Sequence, residues 1–208
     1  MEVVDLPRIL PFHPMRMSVE KYHALTRAGA FAEHDRVELL DGVVTEKMPK
    51  NPPHRTATRR CDLALSDLAP KGWHVQNQEP ITLQRSEPEP DIAIVRGTLE
   101  DYNSRHPGVG DIALVIEIAD ATIVTDRFKA QLYAHAEIPE YWIVNLNERV
   151  IESHRQPEPQ ESPPLYRTST IFTDTDEIPV TIGGIEIGRI KVADLLPPVT
   201  HNGQAARQ

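Results

Sequence analysis

Residues 87–97, EPEPDIAIVRG, place an aspartate directly after a proline and directly before a run of branched apolar residues. Residues 112–120, IALVIEIAD, are similar, with a glutamate inside the apolar run. Short apolar runs bounded by turn-forming residues are typical of strands in the interior of a sheet. The carboxylates of Asp91 and Glu117 are therefore expected where a sheet is most apolar.

These two carboxylates point to a shared site. Side chains alternate between the faces of a strand, so Asp91 shares a face with Ala93, and Glu117 shares a face with Val115. Buried carboxylates are costly unless they are paired or bind a metal, and adjacent ones raise each other's pKa unless a cation lies between them. Mg²⁺ is held by carboxylates and phosphate oxygens. The residues alone leave a second interpretation open, in which Asp91 caps a turn and Glu117 pairs with an arginine.

Lys129 adds a positive charge to this pattern. It lies one turn into the helix predicted directly after the Glu117 strand, in TDRFKAQLYAHAEIPEYWIVNL. The first turns of such a helix can lean over the sheet edge, where a lysine would stabilise developing negative charge or orient a water molecule. An ordinary solvated lysine is the alternative.

The rest of the chain predicts a mixture of helices and strands. Ser18 is expected to cap a first helix that ends near Gly29, and Asp41-Gly42 is the expected turn of a hairpin. Further helices are expected over about 54–69 and about 125–136, the latter capped by Thr125. The segments RVIESHRQ, LYRTSTIF and IPVTIGGIEIGRI alternate like a β-meander.

This order of elements predicts an α/β (α+β) fold. A mixed β-sheet would be flanked by helices on both sides, with an N-terminal hairpin and a C-terminal β-meander. We expect an irregular N-terminal arm over residues 1–16, a single domain over 17–198 and a flexible tail over 199–208.

Composition limits the class of protein. A chain of 208 residues, 39% hydrophobic and 25% charged, has the composition of a globular domain. The single cysteine, Cys61, rules out an internal disulfide and a cysteine metal cluster, and no apolar run approaches the ~20 residues that span a bilayer. With no secretory signal pattern, we expect a cytoplasmic protein without membrane contact. The spacing of the histidines predicts no zinc site.

Several segments together resemble a known family. VELLDGVV, PPH, EPDIAIV, LVIEIAD, TDRFKAQLYAHAEIPEYWIVNL and VADLLPP are similar to segments of the Uma2 family, restriction-endonuclease-like proteins of the PD-(D/E)XK nuclease superfamily. The resemblance covers about residues 17–198. It implies a restriction-endonuclease-like fold and a Mg²⁺-dependent endonuclease that hydrolyses DNA, with Mn²⁺ as an alternative ion. A homodimer is expected, because nucleases of this kind commonly use two active sites to cut two strands.

The resemblance also implies roles for particular residues. Asp91 and Glu117 would be metal ligands, Glu38 would add a carboxylate to the site, and His54 would be an accessory residue at the start of a long helix. In the wider superfamily a lysine follows the glutamate by two positions on the same strand.

In this chain that position is Ala119, and the resemblance implies that Lys129 supplies the catalytic positive charge from the following helix. Either the tip of Lys129 reaches the site or the activity is impaired.

Two other functions remain open on the sequence. The missing strand lysine and the net charge of -9 favour an inactive nuclease fold that serves as a nucleic-acid or protein interaction module, because phosphate binding normally uses a basic surface. An assembly protein that dimerises through an exposed edge of the meander is the other.

Overall fold

Four helices and ten strands are formed within residues 15–32 and 34–198, which are the residues that the computed structural model describes. The predicted tail over 199–208, and all but residues 15 and 16 of the predicted arm, lie outside these residues. The helices are α1 (Val19–Arg27), α2 (Pro52–Leu68), α3 (Ile123–His135) and the short α4 (Val192–Leu195).

A six-stranded mixed sheet forms the centre of the molecule. Its strands, in the order in which they lie side by side, are β3 (Trp73–Gln76), β4 (Ile92–Arg96), β5 (Ile112–Ala119), β6 (Glu140–Asn145), β7 (Val150–Glu158) and β8 (Leu165–Thr173). β5 and β6 run parallel, while the other neighbours are antiparallel. Parallel neighbours need a crossover connection, and α3 provides it.

Two separate hairpins accompany the sheet: β1 (Val37–Leu40) with β2 (Val43–Glu46), and β9 (Glu177–Ile182) with β10 (Ile185–Lys191). The first is the predicted one, since Asp41 and Gly42 form its turn with φ of 46° and 77°. The second was expected to continue the meander. It forms its own two-stranded sheet, because its apolar residues pack against the core beside α2.

Alternation along the strands divides the core into two layers. Ile116, Ile118 and Trp142 face α2, α4 and the β9–β10 hairpin. Val115, Ala119 and the remaining inward residues of the opposite face pack beneath α3. The sheet is therefore covered by helices on both faces, as the α+β prediction required.

The helix starts follow local chemistry. Asn51 caps α2, and its Oδ1 accepts the backbone N–H of His54 at 3.1 Å. Pro52 can occupy the first position of α2. A backbone N–H at that position has no acceptor within the helix, so the absence of an N–H in proline costs no hydrogen bond. α3 begins earlier than expected, with Thr122 rather than Thr125 at its N-cap.

Within residues 15–32 and 34–198, no helix has both the length and the apolar character that crossing a membrane requires.

Candidate active site

A pocket of about 260 Å³ lies where the first hairpin, the start of α2, β4, β5 and the first turns of α3 meet. Charged side chains dominate its walls. Those used below are Glu38, Lys50, His54, Asp91, Glu117, Asp126 and Lys129.

Asp91 and Glu117 lie side by side on neighbouring strands. Ile92 of β4 pairs with Ile116 of β5, so the preceding aspartate lies opposite the following glutamate. Both carboxylates are buried and both line the pocket. The Asp91 Oδ2 accepts the backbone N–H of Ile118 at 2.9 Å, which fixes the aspartate against the glutamate strand. Asp91 and Glu117 thus share one face, as the alternation of side chains along the strands predicted.

Two basic side chains hold Asp91. His54 Nε2 lies 3.0 Å from its Oδ2, and Lys50 Nζ lies 3.0 Å from its Oδ1. Burial acts to raise the pKa of Asp91, but the hydrogen bond and charge of His54, the charge of Lys50 and the N–H of Ile118 outweigh it and lower that pKa. Asp91 is therefore held in its ionised form.

Glu117 has the opposite environment. Its Oε1 accepts hydrogen bonds from Lys129 Nζ and from the Tyr133 hydroxyl, both at 3.0 Å. Burial raises the pKa of Glu117 to about 8, and the nearby carboxylates act in the same direction against the opposing charge of Lys129. The two neighbouring acids therefore differ in how readily they ionise.

Lys129 lies between two carboxylates. Its Nζ is 3.0 Å from Glu117 Oε1 and 3.2 Å from Glu38 Oε1. Although burial opposes the charge, these carboxylates raise the pKa of Lys129. The residue is only 6% exposed, so it is not the solvated lysine of the alternative interpretation.

Glu38 and His54 also face the pocket. Glu38 points inward from β1 with 5% exposure, and its Oε2 accepts the backbone N–H of Glu89 at 3.2 Å. His54 occupies the first turn of α2 without capping it, since Asn51 has that role. The structure thus brings all five residues singled out in the sequence around one pocket.

Three further residues of the site were not predicted from the sequence. Asp126, in the first turn of α3, is 4% exposed and accepts a hydrogen bond from Thr122 Oγ1 at 2.6 Å. Burial raises the pKa of Asp126 to about 6. Tyr133 packs in the core beneath α3, and its hydroxyl donates a hydrogen bond to Glu117.

A signal for both was present, since Asp126 and Tyr133 lie three and four residues from Lys129 and so share its helix face. Lys50, the third, lies in the proline-rich segment PKNPPH, where no periodicity indicates the direction of a side chain.

The donor set of the pocket fits a hard divalent cation. Glu38, Asp91, Glu117 and Asp126 offer carboxylate oxygens, the donors that Mg²⁺ and Mn²⁺ prefer. Burial of Glu117 makes its ionised form costly, which a cation beside it would offset.

Residues 19–190 match the sequence profile of Uma2, described as "Putative restriction endonuclease". The chain belongs to the Uma2 family. The resemblance stated from the sequence motifs is thereby confirmed, and the Uma2 profile spans every residue of the pocket. No curated protein matches the chain.

A solved structure resembles this Uma2 chain in fold. It is a "putative nuclease belonging to DUF820" from Anabaena variabilis ATCC 29413, with a TM-score of 0.59 and 16% sequence identity. The match covers 88% of this chain and 97% of the other. The restriction-endonuclease-like fold prediction is confirmed.

Proposed function

We propose that this Uma2 protein is a Mg²⁺-dependent endonuclease that hydrolyses DNA phosphodiester bonds, with Mn²⁺ as an alternative ion. The observation that carries the proposal is the convergence of two adjacent strand carboxylates, Asp91 and Glu117, with the ammonium group of Lys129 in one pocket. Ionisable groups with shifted pKa values in a cleft are typical of functional sites, and a metal ion held by carboxylates can polarise a phosphate.

Asp91 and Glu117 would hold the cation, and Glu38 would add a third carboxylate from the hairpin. When bound there, Mg²⁺ polarises the scissile phosphate and lowers the pKa of a coordinated water molecule. The low pKa of Asp91 keeps this ligand ionised, and the backbone N–H of Ile118 keeps it oriented.

Lys129 would stabilise the negative charge that develops on the phosphate, because a fixed ammonium in a desolvated pocket acts strongly on nearby charge. The lysine is absent from the strand position, Ala119, but the Lys129 ammonium lies 3.0 Å from the Glu117 carboxylate. This distance supports an active enzyme over an impaired one. His54 would serve as an accessory residue that orients Asp91 through Nε2.

Cleavage of plasmid DNA by the full chain tests the proposal. We expect Mg²⁺-dependent nicking that Asp91→Asn and Glu117→Gln reduce by more than about 10³-fold, and that Lys129→Ala reduces by about 10²-fold. Asp67→Asn and Lys71→Ala, at exposed positions outside the pocket, are matched controls and should retain full activity. Circular dichroism verifies that each variant is folded.

Cleavage that persists in all three pocket variants would contradict the assignment of the site. Absence of cleavage by the wild-type chain with either Mg²⁺ or Mn²⁺ would contradict the activity itself.

The net charge of -9 favours one competing function, a non-catalytic interaction module. Calorimetric titration with Mg²⁺ separates the two, because a module of that kind has no need of the cation. The homodimer and the cytoplasmic location stay predictions from the sequence, and sedimentation velocity tests the first of them.

A further inference from the structure

Three side chains that the proposed nuclease site does not use meet at a second cleft. His23 comes from α1, Glu87 from the segment before β4, and His106 from the segment before β5. One ligand atom of each lies within 4.8 Å of the others. The histidine spacing gave no sign of this cluster, since its members are 64 and 19 positions apart along the chain.

Glu87 provides a fixed carboxylate. It is 5% exposed, and its Oε2 accepts a hydrogen bond from Thr82 Oγ1 at 2.9 Å. His23 Nε2 lies 2.6 Å from each of its two oxygens, so the imidazole nitrogen faces both of them. Two of the three side chains are therefore already in contact in the structure.

His106 can move toward this pair. It is exposed, its ring centroid is 6.2 Å from that of His23, and its side chain makes no hydrogen bond with the part of the chain that the structure describes. The three residues line a cleft of about 840 Å³, which leaves room for water or another ligand.

We propose that His23, Glu87 and His106 form a second metal site, which binds a transition-metal ion of the zinc class. Two imidazoles and one carboxylate are a donor set that Zn²⁺ accepts with a fourth position left open, whereas Mg²⁺ prefers oxygen donors alone. The two sites of the molecule therefore select different classes of cation.

The required adjustment is small. Zinc bonds of about 2.0–2.1 Å in a tetrahedral arrangement separate the ligand atoms by roughly 3.3 Å. The 2.6 Å separation of His23 and Glu87 must lengthen slightly, and the widest separation, at most 4.8 Å, must shorten. Rotation of the exposed His106 side chain supplies most of this change.

Metal binding here would attach α1 to the sheet. α1 packs on the first hairpin through a small cluster of Val19, Tyr22 and Leu39. A bound ion would join this helix to the segments before β4 and β5, in addition to the His23–Glu87 hydrogen bond.

Isothermal titration calorimetry with ZnCl₂ tests the site in the full chain. An Asp91→Asn, Glu117→Gln background takes the two strand carboxylates out of the nuclease pocket, and His106→Ala is introduced into that background. His135→Ala, at an exposed histidine outside the cluster, is the matched control. We expect one Zn²⁺ per chain in the background and in the control, and a loss of affinity of at least tenfold in the His106→Ala variant.

Thermal melting gives a second measurement. In the Asp91→Asn, Glu117→Gln background, a free Zn²⁺ concentration a hundred times Kd should raise the melting temperature by about 5–10 °C, and an equal concentration of Mg²⁺ should give no such rise. His106→Ala should leave the melting temperature without zinc unchanged, because its side chain has no hydrogen bond to lose among the described residues. His23→Ala would also remove the hydrogen bond with Glu87, so it is the less specific variant.

Zinc binding that is unaffected by His106→Ala, or no zinc binding in the background protein, would overturn the proposal. In either case the His23–Glu87 contact is a hydrogen bond that holds α1 and nothing more.

Discussion

Glu117 is the residue at which stability and chemistry are in conflict. Its carboxylate lies in an apolar sheet, and burial raises its pKa from an ordinary 4.5 to about 8. A group with a raised pKa in the folded state stabilises the fold below its unfolded pKa, and this contribution is lost as pH rises through the folded value. Ionised Glu117 therefore reduces the free energy of unfolding in the pH range where it could bind a cation.

Replacement of this charge should have a pH-dependent effect. Glu117→Gln is neutral at every pH, so we expect the melting temperature of the variant relative to wild type to be higher at pH 9 than at pH 5 in buffer with EDTA. Mg²⁺ should raise the melting temperature of the wild type at pH 9 and have little effect on the variant. Differential scanning calorimetry measures both effects.

Asp67→Asn, at an exposed acid, serves as the control and should show no such difference between the two pH values. An equal effect of Glu117→Gln at pH 5 and pH 9 would contradict the raised pKa.

The site was only partly predictable at this scale. Strand alternation sufficed to bring Asp91 and Glu117 together, because the period of two leaves a strand side chain few directions. The Lys50–Asp91 contact depends on the path of an irregular segment, and the His23–Glu87–His106 cluster on three elements that are distant in sequence. Neither kind of contact leaves a periodic signal in the sequence.

Among the elements, the first hairpin carries Glu38 into the pocket, and Gly42 controls its turn. Gly42 has a φ of 77°, and a Cβ added there would lie 2.9 Å from the backbone oxygen of Met17. Glycine is therefore needed here for two reasons: the positive φ of the turn, and the close approach of the segment before α1. In that segment the Met17 N–H donates to the Gly42 carbonyl at 2.9 Å.

Gly42→Ala should lower both stability and Mg²⁺ affinity. Gly72→Ala is the matched control, since Gly72 has a φ of 88° and open space around its Cβ position. The control should lose about 1–2 kcal/mol from backbone strain alone, and Gly42→Ala should lose more because a backbone oxygen must also move. Urea denaturation measures the first effect and calorimetry the second. Equal losses of stability in the two variants would contradict the role of the close approach.

Element prediction succeeded where local chemistry was unambiguous, as at the Asp41-Gly42 turn and the Ser18 cap, whose Oγ accepts the Lys21 N–H at 3.3 Å. It failed where two choices had similar local chemistry. Thr122 and Thr125 are both plausible caps on sequence alone. The β9–β10 hairpin alternates like a sheet strand, and only tertiary packing decides that it covers the core instead of extending the sheet.

At the scale of the whole molecule, the proposed function requires a chain whose own net charge is -9 to bind a polyanion. The cations around the pocket mouth are few, and Lys47 and Lys50 are already paired with acids. A divalent cation would reverse the local sign of charge, so we expect the cation to control DNA affinity as well as cleavage.

Fluorescence anisotropy with a labelled DNA duplex checks whether the cation controls DNA affinity. With Ca²⁺ in place of Mg²⁺, to limit cleavage, affinity should rise at least tenfold over that in EDTA. The slope of log K against log salt should be shallow, no steeper than about -3, because Arg36, Lys47 and Lys50 can neutralise at most about three phosphates and two of them are already paired with acids. Tight binding in EDTA with a steep slope would indicate a basic surface elsewhere.

Lys129 lies on a helix and not on a strand, and this affects how precisely its ammonium group is positioned. The pleat of the sheet would fix the direction of a lysine side chain on a strand. The direction of the Lys129 side chain depends instead on how α3 packs on the strands below it. One such support is the Tyr141 hydroxyl, which donates to the backbone oxygen of Asp126 at 2.9 Å beneath the helix. A small rotation of α3 moves the ammonium much further than the backbone, so under the proposed function the residues that seat this helix would control the position of the catalytic charge from outside the pocket.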